Sequence, residues 1–165
     1  DSEELISSIV EKWKPEVKWE GRLIHESRPY LHYAIAISND WAISWGEDGR
    51  ERGEQRGLSI HPISKDYCSA EHIHNYLPDK VILHRILASC YAFHNYYHYN
   101  ILGWNCEHWA RLVATGVSKS FQIPPISELF VNGDSKKDLA VATAKYGWRL
   151  SQVVHRHYPS QKILL

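Results

Sequence analysis

The 165-residue sequence contains no methionine, only three cysteines and no excess of either charge. Cys68, Cys90 and Cys106 are odd in number and lack the spacing of a metal site, so they indicate a reduced, intracellular setting rather than a disulfide framework. Lysine plus arginine equals aspartate plus glutamate, with 19 residues on each side. This balance gives no indication of nucleic-acid binding or of electrostatic attraction to a membrane.

Long hydrophobic runs are also missing from the sequence. No apolar segment approaches the roughly 18 residues that a membrane-spanning helix needs, and no signal-peptide pattern is present. We therefore expect a cytoplasmic protein without a transmembrane segment, and association with a membrane surface remains compatible with this expectation. The absence of methionine is interpreted as the mark of a trimmed or processed chain.

The arrangement of apolar residues predicts one α+β domain over residues 1–165, a length that supports a single hydrophobic core. Apolar residues at helical spacing predict helices over residues 1–14, from 79 to about 97, and from 134 to about 158. Alternating apolar residues predict strands over residues 17–24, 30–38, 41–45 and 58–63. The charged, glycine-rich residues 46–57 are interpreted as a solvated loop, with a lid over a binding site as the alternative.

A short helix is predicted between Gly103 and Gly116, with a start and a stop signal. Asn105 is a favoured N-cap residue, Glu107 adds a negative charge to the first turn, and Gly116 suits a left-handed C-cap. This places Cys106 at the first helical position.

The position of Cys106 suggests a nucleophile. Backbone N–H groups and the positive end of the helix dipole stabilise a thiolate at a helix start. Cysteines in such positions can have the thiol pKa lowered from about 8.5 to roughly 3.5–7.5. The alternative is that Cys106 is a small buried apolar residue, which is the commoner fate of a free cysteine.

A general base for Cys106 has to be chosen among 11 histidines. His94 and His98 are four residues apart on a predicted helix, but they lack a third ligand, so neither a metal nor another cofactor is predicted. His108 lies on the other side of the Cys106 helix and is interpreted as a structural hydrogen-bonding residue. His32 opens an apolar strand, where a histidine can pack beside a helix start and form a Cys–His pair.

Four segments carry a resemblance to a known family. They are residues 21–29 (GRLIHESRP), 32–38 (HYAIAIS), 105–109 (NCEHW) and 116–120 (GVSKS). Together they resemble the lecithin:retinol acyltransferase-like proteins, which include the H-Ras-like suppressor phospholipase/acyltransferases. The resemblance covers about residues 21–123 and leaves helical extensions at both ends.

The resemblance implies a circularly permuted papain-like (NlpC/P60) domain, with a small antiparallel sheet packed on helices. It also implies that Cys106 attacks an ester carbonyl, that His32 takes the thiol proton, and that an acyl thioester forms. Neither a cofactor nor a metal is implied. Asn105, Glu107 and His108 match the motif around the nucleophile and are expected to be structural.

The sequence departs from the family pattern twelve residues after His32. The family commonly has a histidine there that orients the base, whereas this chain has Ser44. Ser44 is therefore expected to orient His32 through its hydroxyl, less effectively than an imidazole. Trp41 and Trp45 flank this position and are expected to form an apolar wall for an acyl chain, with core packing as the alternative.

Three functions are compatible with the sequence. The resemblance favours a thiol-dependent acyltransferase or phospholipase whose substrate is a lipid or acyl ester, at a membrane surface or free of it. The first alternative is a non-enzymatic interaction protein, because picornavirus proteins share these motifs and a chain without methionine fits a product cut from a polyprotein. The second is an NlpC/P60-type peptidase or amidase. Nucleic acid is not indicated as a partner.

Overall fold

The computed structural model describes residues 2–27, 31–46, 57–70, 75–92, 105–117 and 133–159. Their regular elements form an α+β fold, as the sequence predicts. The helices are α1 (Ser2–Lys12), α2 (Asp79–Ala92), α3 (Cys106–Thr115) and α4 (Gly133–His157). The strands are β1 (Leu23–Ser27), β2 (Leu31–Ala36), β3 (Trp41–Trp45), β4 (Leu58–Pro62) and β5 (Cys68–Ser69).

The five strands form one antiparallel sheet in the order β4-β3-β2-β1-β5. A tight turn joins β2 to β3, in which the Ser38 hydroxyl accepts the N–H groups of Asp40 and Trp41, each at 3.1 Å. The β3–β4 connection begins at Gly46, whose N–H donates to the Gly57 carbonyl at 2.9 Å. In this arrangement α3 packs against the middle strands of the sheet, β2 and β3.

The predicted strand over residues 17–24 is wrong in its first part, because β1 begins only at Leu23. Gly21 and Arg22 have φ angles of 60° and 64°, in the left-handed region that no strand contains. Residues Glu20–Arg22 form a short 3₁₀ turn instead.

The buried side chain of Arg22 explains why the backbone turns there. Its guanidinium stacks 3.7 Å from the ring centre of Trp13 and donates to the Ile37 carbonyl at 3.2 Å. It also donates to the carbonyl of Lys14 at 2.5 Å and to Asp79 at 3.0 Å. One cation thus joins the end of α1, the end of β2 and the start of α2, where it pairs with the Asp79 carboxylate.

The helices otherwise lie close to their predicted ranges. Ser2 is the first residue of α1, and its hydroxyl donates to the Cys90 carbonyl at 2.9 Å. Cys90 is buried in the core. Residues 93–97, the predicted end of the second helix, lie outside the described residues, and β5 was not predicted.

The two faces of the sheet pack against different parts of the chain. The larger core lies between the helices and one face of the sheet, which includes Tyr33, Ile35 and Ile43. The other face carries small residues such as Ala34, and Trp19 helps to cover it. Because side chains alternate along a strand, His32, Ser44 and His61 belong to this second face.

Within the described ranges, no helix is both long enough and apolar enough to cross a membrane.

Candidate active site

The helix that begins with Cys106 has both of its predicted caps. The Asn105 side chain accepts the N–H groups of Glu107 and His108 at 2.9 and 3.1 Å, and Nδ1 of His108 accepts the Asn105 N–H at 3.0 Å. This reciprocal arrangement is a capping box. At the other end, Gly116 has a φ angle of 85° and closes the helix in the left-handed conformation.

The thiol of Cys106 lies against the edge of β2. Its sulfur accepts the backbone N–H of Tyr33 at 3.4 Å, and its thiol faces the Leu31 carbonyl at 3.8 Å. The ladder between β2 and β3 pairs Ile35 with Ile43 and Ala36 with Ala42, further along β2 than the residues at the sulfur. The sulfur therefore occupies the strand edge at the residues on either side of His32.

His32 is 1% exposed, as is Cys106. Its Nε2 lies 3.2 Å from the Ser44 hydroxyl oxygen, so the hydroxyl contacts the imidazole as the sequence predicts for an orienting residue. Ser44 is itself fully buried on β3. The burial excludes water as a competitor for this hydrogen bond.

A second imidazole, from His61 on β4, completes the arrangement. Nε2 of His61 lies 3.2 Å from the Ser44 hydroxyl oxygen, and Nδ1 of His61 lies 3.1 Å from the Pro62 carbonyl. A carbonyl only accepts, so Nδ1 of His61 carries the proton and its Nε2 accepts from Ser44. The Ser44 oxygen can in turn accept an Nε2–H of His32, so one hydroxyl links the two imidazoles.

Sequence reasoning missed His61. The predicted strand over residues 58–63 is confirmed as β4, but the sequence pattern alone does not identify the histidine within it as a site residue. The pairing of β3 with β4 is what would have identified His61. Ser44 lies opposite Ser59 and Ala42 opposite His61, so all four side chains are on the same face of the sheet. That register depends on a connection through residues 47–56, which the sequence alone does not align.

A buried ion pair lies on the same helix as Cys106. The Arg111 Nε donates to Glu107 at 2.7 Å, and both side chains are almost fully buried. Arg111 also donates to the Tyr33 hydroxyl at 3.4 Å. Burial, with the nearby Glu107 carboxylate, raises the pKa of Tyr33 to about 12. This network holds Tyr33, whose N–H contacts the sulfur.

The two tryptophans expected at the substrate lie on the helix-facing side of the sheet, opposite to Ser44. Trp45 has no exposed surface and belongs to the larger core. Trp41 is half-buried, packs against that core, and has the ammonium of Lys12 4.9 Å from its ring centre. Their packing matches the core alternative rather than a wall beside Ser44.

Other predicted features lie outside the described residues, namely most of the 46–57 loop and both His94 and His98. Among the residues that the structure describes, no group of three or more histidine, cysteine or acidic side chains is placed to hold a metal ion.

Comparisons of the chain with protein-family models, with curated proteins and with solved structures found no match. The chemistry of the site therefore has to be derived from its own residues.

Proposed function

We propose that this protein is a thiol-dependent acyltransferase or phospholipase that acts on lipid esters, built on a circularly permuted papain-like domain. The observation that carries the proposal is the position of Cys106. It is the first residue of a capped helix, and its sulfur contacts the backbone on both sides of His32. The His32 imidazole in turn contacts Ser44.

In the proposed reaction, His32 accepts the thiol proton and the Cys106 sulfur attacks the ester carbonyl carbon. The tetrahedral intermediate collapses to a thioester, and the departing alcohol takes the proton from His32. Water, an alcohol or an amine then attacks the thioester carbonyl while His32 accepts its proton. Cleavage of the carbon–sulfur bond restores the Cys106 thiol, which regains a proton from His32.

The oxyanion of each tetrahedral intermediate needs hydrogen-bond donors. The first turn of a helix has N–H groups without partners in the helix, but those of Glu107 and His108 donate to the Asn105 side chain. The Trp109 N–H donates to the Asn105 carbonyl. Of the described N–H groups in the first turn of α3, that of Cys106 does not take part in the cap. It is therefore the donor that can stabilise an oxyanion.

The contact between His32 and Ser44 supports the role of His32 as the base. When His32 takes up a proton, its Nε2–H donates to Ser44, and the Ser44 hydroxyl can donate onward to His61. Hydrogen bonds in a chain polarise one another, so the imidazolium is stabilised by more than one hydroxyl.

The proposal is tested by hydrolysis of a phospholipid and of a simple acyl ester, with an acyl amide as a third substrate. Cys106→Ala should abolish hydrolysis, and a thioester on Cys106 should be detectable by mass spectrometry of the wild-type protein. Cys68→Ala is the matched control because Cys68 is an exposed thiol on β5. Equal ester hydrolysis by wild type and Cys106→Ala would rule the proposal out, and cleavage of the amide alone would favour the peptidase alternative.

The burial of both Cys106 and His32 favours a second candidate function, a non-enzymatic interaction protein. Cys106 and His32 are each 1% exposed, so an ester reaches the sulfur only if covering residues move. Iodoacetamide distinguishes the two functions. An enzyme should be alkylated at Cys106 faster than at Cys90, because burial in the core raises the pKa of the Cys90 thiol. Equal, slow alkylation of both buried thiols would support the interaction protein.

A further inference from the structure

A cavity of about 930 Å³ lies between α2, the last turns of α3 and α4. Its volume falls within the range of roughly 300–1,000 Å³ that is typical of small-molecule sites. Leu112 and Gly116 line it, six and ten residues beyond Cys106 on the same helix. At 1.5 Å per residue they are about 9 and 15 Å from Cys106 along the axis, so the cavity is separate from the candidate active site.

The walls of the cavity combine apolar and basic side chains. Leu112, Leu139 and Val154 supply apolar surface from α3 and α4. Lys80 and Lys136 supply ammonium groups, and further basic side chains come from α2. None of the described residues that line the cavity is acidic. Such a lining complements a ligand with an apolar body and a negative charge.

Arg85 on α2 is the most informative of the basic residues. Its guanidinium is half-buried, which lowers its pKa. Its Nη1 donates to the Leu112 carbonyl at 3.2 Å, and no carboxylate among the described residues pairs with it. A guanidinium has five N–H donors, and a partly desolvated cation without a counter-charge is costly. An anion with two oxygens, bound in the fork of the guanidinium, would satisfy both requirements.

We propose that this cavity binds a long-chain fatty acid, with its carboxylate on Arg85 and its alkyl chain along Leu112, Leu139 and Val154. Lys80 and Lys136 add positive charge at the cavity. The site is distinct from Cys106, so binding does not require that Cys106 be catalytic.

The test is a binding titration of the full chain with palmitate, measured by displacement of a fluorescent fatty acid. Saturable binding of palmitate is expected. Hexadecanol, which has the same chain length without the charge, and hexanoate, which has the charge without the chain, should both bind much more weakly. Equal binding of hexadecanol and palmitate would overturn the assignment of the carboxylate to Arg85.

Variants then locate the site. Arg85→Gln should weaken palmitate binding at least about 10-fold, because a charge-assisted hydrogen bond is lost. Lys136→Gln should weaken binding, whereas Lys137→Gln, an exposed neighbour on α4 that does not line the cavity, should leave it unchanged. Ala140→Trp should block binding by filling the cavity, with the fold monitored by circular dichroism.

Cys106→Ala should retain wild-type affinity for palmitate. If its affinity falls, the fatty acid occupies the candidate active site and the proposal is wrong. It is also wrong if Arg85→Gln and Lys136→Gln, both folded, bind palmitate like the wild type. Absence of saturable binding, together with concentration-dependent dimerisation, would assign the cavity to a second copy of this chain instead.

Discussion

The Ser44 hydroxyl lies 3.2 Å from Nε2 of His32, and it lies the same distance from Nε2 of His61. A serine at this position could be taken for a weak substitute for an orienting histidine. The geometry gives it a different role, because Ser44 joins two imidazoles that are on different strands. The structure does contain a second imidazole, that of His61, but it is separated from His32 by the Ser44 hydroxyl.

The first prediction concerns this chain of hydrogen bonds. Ser44→Ala should lower kcat/KM for ester hydrolysis roughly 10- to 100-fold, because the protonated His32 loses a hydrogen bond in the transition state. His61→Gln should lower it less, since it acts through Ser44. Both rates are measured with the lipid ester under single-turnover conditions.

A double-mutant cycle provides the control for this prediction. If His61 acts only through Ser44, Ser44→Ala combined with His61→Gln should be no slower than Ser44→Ala alone. Additive losses would mean that His61 affects the reaction by another route. A wild-type rate in Ser44→Ala would contradict the orienting role altogether.

The second prediction concerns the cap of α3. Asn105→Ala should lower the free energy of unfolding by about 2 kcal/mol, at the upper end for an N-cap, because the two N–H groups it satisfies are buried. Asn105→Ser should lose much less, since a serine hydroxyl can also accept at this position. Urea unfolding measures both variants, and equal losses would show that the side-chain acceptor is not what matters.

The candidate site was predictable from sequence where it depends on local chemistry. Asn105, Cys106 and Gly116 lie within one short helix, and cap preferences follow from which backbone groups lack partners there. His61 was not predictable in this way. Its place beside Ser44 depends on the register between β3 and β4, which is set by pairing across a long connection.

The fold shows the same division between local and long-range determinants. Helix spacing and strand alternation locate most of the elements, including β3 at its predicted bounds. The start of β1 was misplaced because the buried guanidinium of Arg22 draws the backbone into a turn. The two-residue strand β5 carries too little pattern to be recognised, since its pairing with β1 alone defines it.

The third prediction compares two glycines. Gly21 has a φ angle of 60°, and a Cβ there would lie 2.0 Å from Cδ1 of Tyr76. Gly21→Ala should therefore lower the free energy of unfolding by roughly 2–4 kcal/mol, from backbone strain and overpacking together. Gly147 lies in α4, and a Cβ added there would have open space within 4 Å. Gly147→Ala should raise the free energy of unfolding by about 0.5–1 kcal/mol.

Thermal or urea unfolding of the two alanine variants tests the third prediction through the sign of the change in the free energy of unfolding. Both variants replace a glycine with an alanine, but the free energy of unfolding should fall for Gly21→Ala and rise for Gly147→Ala. A tolerated Gly21→Ala would mean that the Tyr76 ring moves away at little cost and that the turn before β1 accepts an alanine.

The last prediction concerns pH and the contact between α1 and α4. Hydrogen bonds from Arg149, and then from Tyr91, lower the pKa of Glu3 from 4.5 to about 2. A carboxyl group with a lowered folded-state pKa stabilises the fold above its unfolded pKa, and this stabilisation is lost as the pH falls from about 4.5 towards 2. The Glu3 side chain is 53% exposed, so solvent screening limits the contribution to at most about 1 kcal/mol.

Glu3→Gln should therefore unfold at a lower urea concentration than the wild type at pH 7, and the difference should vanish near pH 2. Glu11→Gln, an exposed residue of the same helix, is the control and should match the wild type at pH 7. A difference that grows on acidification would reverse the expected sign and show that Glu3 is destabilised by its partners. Equal losses in both variants at pH 7 would instead point to the overall charge of α1, because Arg149 and Tyr91 contact Glu3.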